Sequence, residues 1–410
     1  MAVGWLGGRQ VLVASHTDEE SPLVGIWDLT TREMIGDISY DGTEYDFPTH
    51  LEIIDIAGRP TLVIEAESGI DQWDLATRRK VHRPIDDGDD DGDKGSLDAF
   101  ASSTVSTVEG QALIITGENR SDDSDSAMPV KNAVALWDPV SGRRLAAMQG
   151  HSAEIRALAA GELDGRPVLL SGSDDNTVRL WDLRTRRQLG DPTPSWPSHG
   201  AKALAVGRRD GARIAVSGEE YGVLQVWDLT TRRRLGRPMK AGHEIDTLAI
   251  TEVDGLPVVV AAGPNGLSVW NLTTFTERGR LAATSVRGLA VRQNSVVAVV
   301  DSDTQILART WDLRTLRLVD TIYLAPNGDY PTVSLVGGSV FATVQTDTSS
   351  IAVWDLSQRR RISTITVPPP AWEGEAITFG SVGCSAAVPS SASPARAPRP
   401  GSWTHAPGVT

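Results

Sequence analysis

Residues 150–183 read GHSAEIRALAAGELDGRPVLLSGSDDNTVRLWDL. Two apolar runs flank a turn at Asp164-Gly165-Arg166-Pro167. A third run, Thr177 to Leu183, follows Ser173-Asp174-Asp175-Asn176 and carries Trp181-Asp182. Short apolar runs bounded by Gly, Asp, Asn and Pro are strands joined by hairpins. The stretch decides the fold because it recurs. Trp-Asp stands at Trp27-Asp28, Trp73-Asp74, Trp137-Asp138, Trp181-Asp182, Trp227-Asp228, Trp311-Asp312 and Trp354-Asp355, and Trp270-Asn271 is a degenerate further copy. A period of about 40–45 residues is a repeat architecture and outranks every other signal in the chain.

The dipeptide, its phase and its turn grammar resemble the WD-repeat β-propeller family over roughly residues 1–367, about nine tenths of the chain, and the propeller domain is expected over 1–383. The resemblance implies an all-β chain of four-stranded antiparallel blades, with strands a to d running outward from a central channel and Trp-Asp closing strand c. Eight marked repeats predict eight blades. Seven, the commoner family number, is the alternative if Trp270-Asn271 or the short first repeat lies outside the ring. The resemblance also implies a polar chain linking a Gly-His, a strand-b Ser, an Asp in the b–c turn and the Trp indole. That maps onto His151, Ser173 (with Ser171 as the other candidate), Asp175 and Trp181. Buried imidazole and indole N–H groups need partners, each missing bond costing roughly 1–3 kcal/mol. Most repeats lack this full set. Glu67 and Tyr221 stand where Asp175 does, and only His199 and His243 share the phase of His151.

Length alone suggests two or three domains for 410 residues. The repeat overrides that prior, because eight units use almost all of the chain. From Cys384 to Thr410 the chain is Ser, Ala, Pro and Arg without periodicity, a composition that predicts a disordered tail. Ala376–Phe379 is apolar enough for one more inner strand. At the other end only Ala2–Leu6 precede strand b of the first repeat, as expected for the sensing or docking part of a longer signalling protein. Two polar insertions, 86–95 and 119–129, lengthen the third repeat at connections, where surface loops tolerate them.

Cys384 is the single cysteine, which excludes an intrachain disulfide. The start lacks a basic and apolar leader, and no run approaches 18 apolar residues. A cytoplasmic, monomeric protein without a membrane partner is therefore expected. Arg far outnumbers Lys, and Ala, Gly and Val abound, the signature of a high-GC bacterial gene. A net charge of −14 argues against nucleic acid as the main partner.

Catalytic motifs are incomplete. Gly150-His151-Ser152-Ala153-Glu154 lacks the last Gly of a nucleophile elbow. His243-Glu244-Ile245-Asp246-Thr247 lacks the second His of a zinc-protease helix. The reading is a non-enzymatic module that binds protein partners. The alternative is a propeller enzyme with its site at the central channel, which would need converging carboxylates or His from several blades. No cofactor is expected beyond one candidate: Asp87, Asp89, Asp91 and Asp93, with Gly92 for the sharp turn and Asp98 at the twelfth place, space like a calcium loop. Charge also sorts by turn type. The c–d turns are rich in Arg, which predicts a basic docking face for an acidic partner, with Arg79, Arg144, Arg187 and Arg233 as its protein-binding residues. The b–c and d–a loops carry Asp18, Glu19, Glu20, Glu67, Asp122, Asp123, Asp174, Glu219 and Glu220 on the opposite face.

Overall fold

The structure is a computed structural model. It describes residues 2–366 apart from 18–21, 40–49, 57, 67–68, 82–96, 99–101, 121–131, 142, 195–199, 220, 284, 303, 327–328, 337 and 348–349. The acidic residues Asp87 to Asp93, the stretch Ala376–Phe379 and the tail after Cys384 lie outside these.

Eight antiparallel sheets follow one another along the chain, each with four consecutive strands in simple meander order. They span residues 2–39, 50–80, 97–149, 155–194, 201–240, 247–281, 286–326 and 329–366. These are blades one to eight. The first repeat and the Trp270-Asn271 repeat both take full places, so the ring has eight blades. The fourth blade shows the local logic: strand a is Ile155–Leu163, b is Arg166–Ser173, c is Thr177–Asp182 and d is the short Arg187–Gln188. Asp164 and Gly165 make the a–b hairpin at φ 49° and 75°, values that a Gly tolerates without cost and an Asp better than most residues. Two extra short strands, Leu97–Asp98 on blade three and Thr193–Pro194 on blade four, pair outside the meander path.

No blade buries its faces alone. Each repeat tryptophan instead packs on the blade before it. Trp181 joins Leu113, Ile115, Val134 and Leu136 of blade three, and Trp311 joins Val258, Val260, Leu267 and Val269 of blade six. The same contact closes the ring, because Trp27 of blade one packs with Phe341, Ile351, Val353 and Ile365 of blade eight. Trp27, Trp137, Trp181 and Trp311 are among the largest fully buried side chains.

The c–d turn after each tryptophan adds a second inter-blade contact. The Asp carboxylate accepts the backbone N–H groups of the turn: Asp28 Oδ1 takes Thr30 and Thr31 at 2.7 and 3.0 Å, and Asp182 Oδ1 takes Arg184 and Thr185 at 2.9 and 2.8 Å. Asn271 Oδ1 does the same for Thr273 and Thr274 at 2.8 and 2.9 Å, so the degenerate repeat loses nothing there. The next residues along close the turn in left-handed conformation: Arg32, Arg78, Arg186, Arg232, Phe275, Leu316 and Arg359, at φ between 54° and 69°. Non-glycine residues seldom adopt it. Their side chains show what the recurrence achieves, since each one placed by a contact reaches strand d of the preceding blade or the residues just after it. Arg186 Nη1 donates to Leu145 O at 2.8 Å, and Arg359 Nη2 donates to Asp320 Oδ1 at 2.7 Å. Arg78, Arg232, Phe275 and Leu316 lie over Gly36, Gly190, Gly236 and Gly279, where a Cβ would collide with them.

This latch is measurable by comparing two glycines with positive φ. A Cβ at Gly236 would come within 2.5 Å of Phe275 Cδ2, whereas nothing lies within 4 Å of one at Gly58. Gly58→Ala should cost about 1 kcal/mol, the conformational cost alone. Gly236→Ala should cost about 1–3 kcal/mol more through the displaced ring. Urea midpoints for the two variants would test the difference, and equal losses would remove the latch.

Candidate functional site

Blade four holds the polar chain. His151 precedes strand a and is 6% exposed. Its Nδ1 lies 2.8 Å from Asp175 Oδ2 and its Nε2 lies 2.7 Å from Ser171 Oγ. The Trp181 indole Nε1 donates to the same Ser171 Oγ at 2.8 Å. Ser173 is corrected here: the hydroxyl in the chain belongs to Ser171. Both serines face one side of strand b, because side chains alternate, but Ser173 lies two residues further, at the end of the strand. There it donates to Ala153 O at 2.9 Å and accepts the Asp175 N–H at 3.1 Å, which closes the b–c turn.

Asp175 also accepts from Thr177 Oγ1 at 2.6 Å and from the Thr177 and Ser152 N–H groups at 2.9 and 3.1 Å. Burial alone would raise its carboxyl. The hydrogen bonds from His151, Thr177 and Ser152 outweigh that and hold it well below the usual carboxylate range. In this arrangement every polar group of the cluster is matched to another within the fold, and the cluster joins strand c to the loop entering strand a.

Elsewhere the chain is partial. In blade three Trp137 donates to Thr116 Oγ1 at 3.0 Å, and in blade five Trp227 reaches Ser217 Oγ only at 3.5 Å. Blade six rebuilds the arrangement with a hydroxyl that sequence reasoning missed. Ser268 lies on strand c, two residues before Trp270, accepts its indole N–H at 3.0 Å and sits 2.9 Å from His243 Nε2. With no Asp in that turn, His243 Nδ1 lies 2.8 Å from Glu244 O. The signal was the strand period: a residue two before the tryptophan shares its face. In blades two and eight the Trp73 and Trp354 Nε1 groups are buried without a partner among the described residues.

The Arg-rich c–d turns separate into two sets by register. In the doublets of blades two, four, five and eight the first Arg occupies the left-handed position and reaches the preceding blade as described. Arg184 and Arg314, earlier in their turns, pair with Glu109 and Asp254 in the a–b turns of the preceding blades at 2.9 and 2.7 Å. The second Arg stands opposite the repeat Asp, in Asp74–Arg79, Asp182–Arg187, Asp228–Arg233, Asp312–Arg317 and Asp355–Arg360. Arg143 takes the equivalent place in blade three, its carbonyl accepting from Asp138 N at 3.0 Å. These six side chains are exposed, and none makes an ion pair among the described residues.

Arg144 does not belong with Arg79, Arg187 and Arg233. It stands opposite Trp137, one residue further on, so its side chain leaves the other face of the strand. There it pairs with Glu118, whose side chain is 4% exposed, and its guanidinium lies 5.6 Å from the Trp137 ring centre. On the acidic side, Asp174 pairs with Arg156 at 2.9 Å, while Glu219 is buried against Gln225. Of the candidate calcium residues only Asp98 is described, in a two-residue strand where it pairs in register with Asn119.

A depressed carboxyl pKa in the folded state stabilises the fold above the unfolded value near 4 and loses that contribution as pH falls toward the folded value. Asp175→Asn should therefore lower stability by about 1–3 kcal/mol at pH 7. It should also flatten the acid limb below about pH 4. Urea unfolding of both proteins between pH 7 and 2.5 tests this, and an unchanged acid limb would contradict it.

Comparison with known proteins agrees with this geometry. Residues 142–182 match the family model of the WD domain, G-beta repeat. The match takes in strand d of blade three and strands a to c of blade four, so the sequence repeat is offset from the blade by one strand. Mitochondrial division protein 1 of Pyricularia oryzae (strain 70-15 / ATCC MYA-4617 / FGSC 8958) is 42% identical over 52 residues, which are 13% of this chain and 7% of that protein. The chain thus matches only a small part of that relative's length. The crystal structure of the computationally designed Ika8 protein superposes with a TM-score of 0.59 at 21% identity, covering 86% of this chain and 95% of the other. The chain is thus an eight-bladed β-propeller that carries one matched WD domain, G-beta repeat at residues 142–182.

Proposed function

We propose that the ring is a non-catalytic platform that docks an acidic protein partner on the rim formed by its c–d turns. WD-repeat propellers commonly bind protein partners, and the observation that carries the reading here is the repeated register of Arg79, Arg143, Arg187, Arg233, Arg317 and Arg360. Exposed charges on turns add about 0–1 kcal/mol each to a fold. Six of them at one register in a chain of net charge −14 are poorly accounted for by stability. They form a local positive field that would steer an anionic surface.

The test uses the full chain as bait in extracts of the native host, beside a variant carrying Arg79→Glu, Arg143→Glu, Arg187→Glu and Arg233→Glu. The variant should fold with an unchanged Tm. A partner identified with the wild type should associate about tenfold more slowly with the variant at low salt, and the gap should narrow as salt rises. Equal association rates at low ionic strength would move the docking surface elsewhere.

A further inference from the structure

The residue two before each repeat tryptophan projects from the same face of strand c as the indole. A polar residue there generally finds a partner within its own blade. Asp71 Oδ2 takes Lys80 Nζ at 2.8 Å, Arg179 Nη1 donates to Gln188 Oε1 at 2.6 Å, and Ser268 meets Trp270 and His243. Lys80 and Gln188 both stand opposite their tryptophans on strand d. Blade seven breaks the rule. The residue is Arg309, and the one opposite Trp311 is Leu318, which has no acceptor to offer. Arg309 instead extends to blade six, where Nη1 donates to Ala282 O at 2.8 Å. Its Nε is buried without a hydrogen-bond partner among the described residues, as is that of Arg179, so what sets Arg309 apart is the blade to which it reaches.

A cavity of about 390 Å³ opens at this place, its wall including Gly242, His243, Gly266, Arg280, Ala282 and Arg309. Its described lining contains two guanidinium groups and no carboxylate. Arg280 Nε is held by Glu277 Oε1 at 2.8 Å, which fixes the group with its outer edge beside Gly242. A Cβ at Gly242 would lie 3.1 Å from Arg280 Nη2, so the glycine keeps that edge uncovered. His243 adds no free donor, since both ring nitrogens are already engaged. Guanidinium groups present planar forks that match carboxylate and phosphate oxygens.

We propose that this cleft between blades six and seven binds a small molecule bearing a carboxylate or phosphate group, gripped by Arg309 from blade seven and Arg280 from blade six. The volume falls within the usual span of small-ligand sites, roughly 300–1,000 Å³. The site is separate from the basic rim, because it lies on the indole face of strand c and not at the c–d turns.

Isothermal titration of succinate and, separately, inorganic phosphate into the full chain at fixed ionic strength tests the proposal and distinguishes the two oxyanions. At least one should bind saturably at one site per chain. Arg280→Gln should weaken that binding about tenfold, the usual loss of one charge-assisted hydrogen bond. Arg309→Leu should abolish it. Arg287→Gln, on a side chain paired with Asp301 at 3.2 Å in the same blade, should leave it unchanged. No binding of either probe, equal binding by both cleft variants, or an equal loss with Arg287→Gln would each overturn the site. If Arg309→Leu fails to fold, Arg280→Gln decides alone, since that side chain is 57% exposed.

Discussion

The structure depends on one contact repeated eight times, the burial of an indole from strand c against the sheet of the preceding blade. A single meander of four strands exposes two faces and has no core of its own, so its stability is a property of neighbours. The contact has a direction, from each blade to the one before it, and direction is what makes a ring necessary. Left open, the first blade would have no predecessor to receive Trp27. Closure supplies blade eight as that predecessor, and each blade is made from consecutive strands on its own stretch of chain. The apolar seam of Trp27 with Phe341, Ile351 and Val353 therefore closes the ring without any strand exchanged between blades.

The turn that follows each indole reinforces the same direction. Asp after Trp caps the turn through its carboxylate, and the turn then delivers a left-handed residue onto the preceding strand d. This explains why the dipeptide is Trp-Asp rather than Trp alone, and why Asn271 substitutes without loss: an amide oxygen accepts the same N–H groups. It also explains how Arg, Phe and Leu can serve at one position. The position requires a long side chain that reaches the outer edge of the preceding blade, over a glycine for Arg78, Arg232, Phe275 and Leu316 and onto Leu145 O and Asp320 for Arg186 and Arg359. Backbone N–H groups from Thr31 and Thr30 hold the Asp28 carboxyl below its ordinary range, and that of Thr315 does so for Asp312.

What was legible in the sequence follows from this hierarchy. The indole, followed by an Asp or in one case an Asn, recurs in every blade, so its phase revealed the strands and the eightfold count. The hydroxyl that receives the indole N–H is required only to be near it. Strand b supplies it as Ser171 and strand c as Ser268, and blades two and eight leave the N–H unmatched. A requirement that several positions can meet leaves no fixed spacing to read, which is why Ser173 was a reasonable but mistaken choice. The Arg doublets hid a different distinction. Adjacent residues on a strand leave opposite faces, so Arg143 and Arg144 look equivalent in sequence while one faces solvent and the other pairs with Glu118 beneath Trp137. Only the register, Asp138 against Arg143 and Trp137 against Arg144, separates them.

The repeat also provides its own controls. Because eight blades solve the same packing problem, a position filled by the common solution in most of them says little about function, whereas a departure calls for a reason. Polar residues two before the tryptophan in blades two, four and six each bond a side chain of their own blade. Arg309 meets Leu318 on its own sheet and turns to the neighbouring blade, beside a second guanidinium and a glycine that leaves it uncovered. Leu318 is itself half exposed, at 50%, so it is not a core residue selected for burial that happened to displace an acceptor. A partner for Arg309 could have been placed there, as Gln188 is for Arg179, at no loss of packing. Arg309 instead gives one N–H to a carbonyl of blade six and presents its guanidinium, beside that of Arg280, to a cleft that an anion would fill.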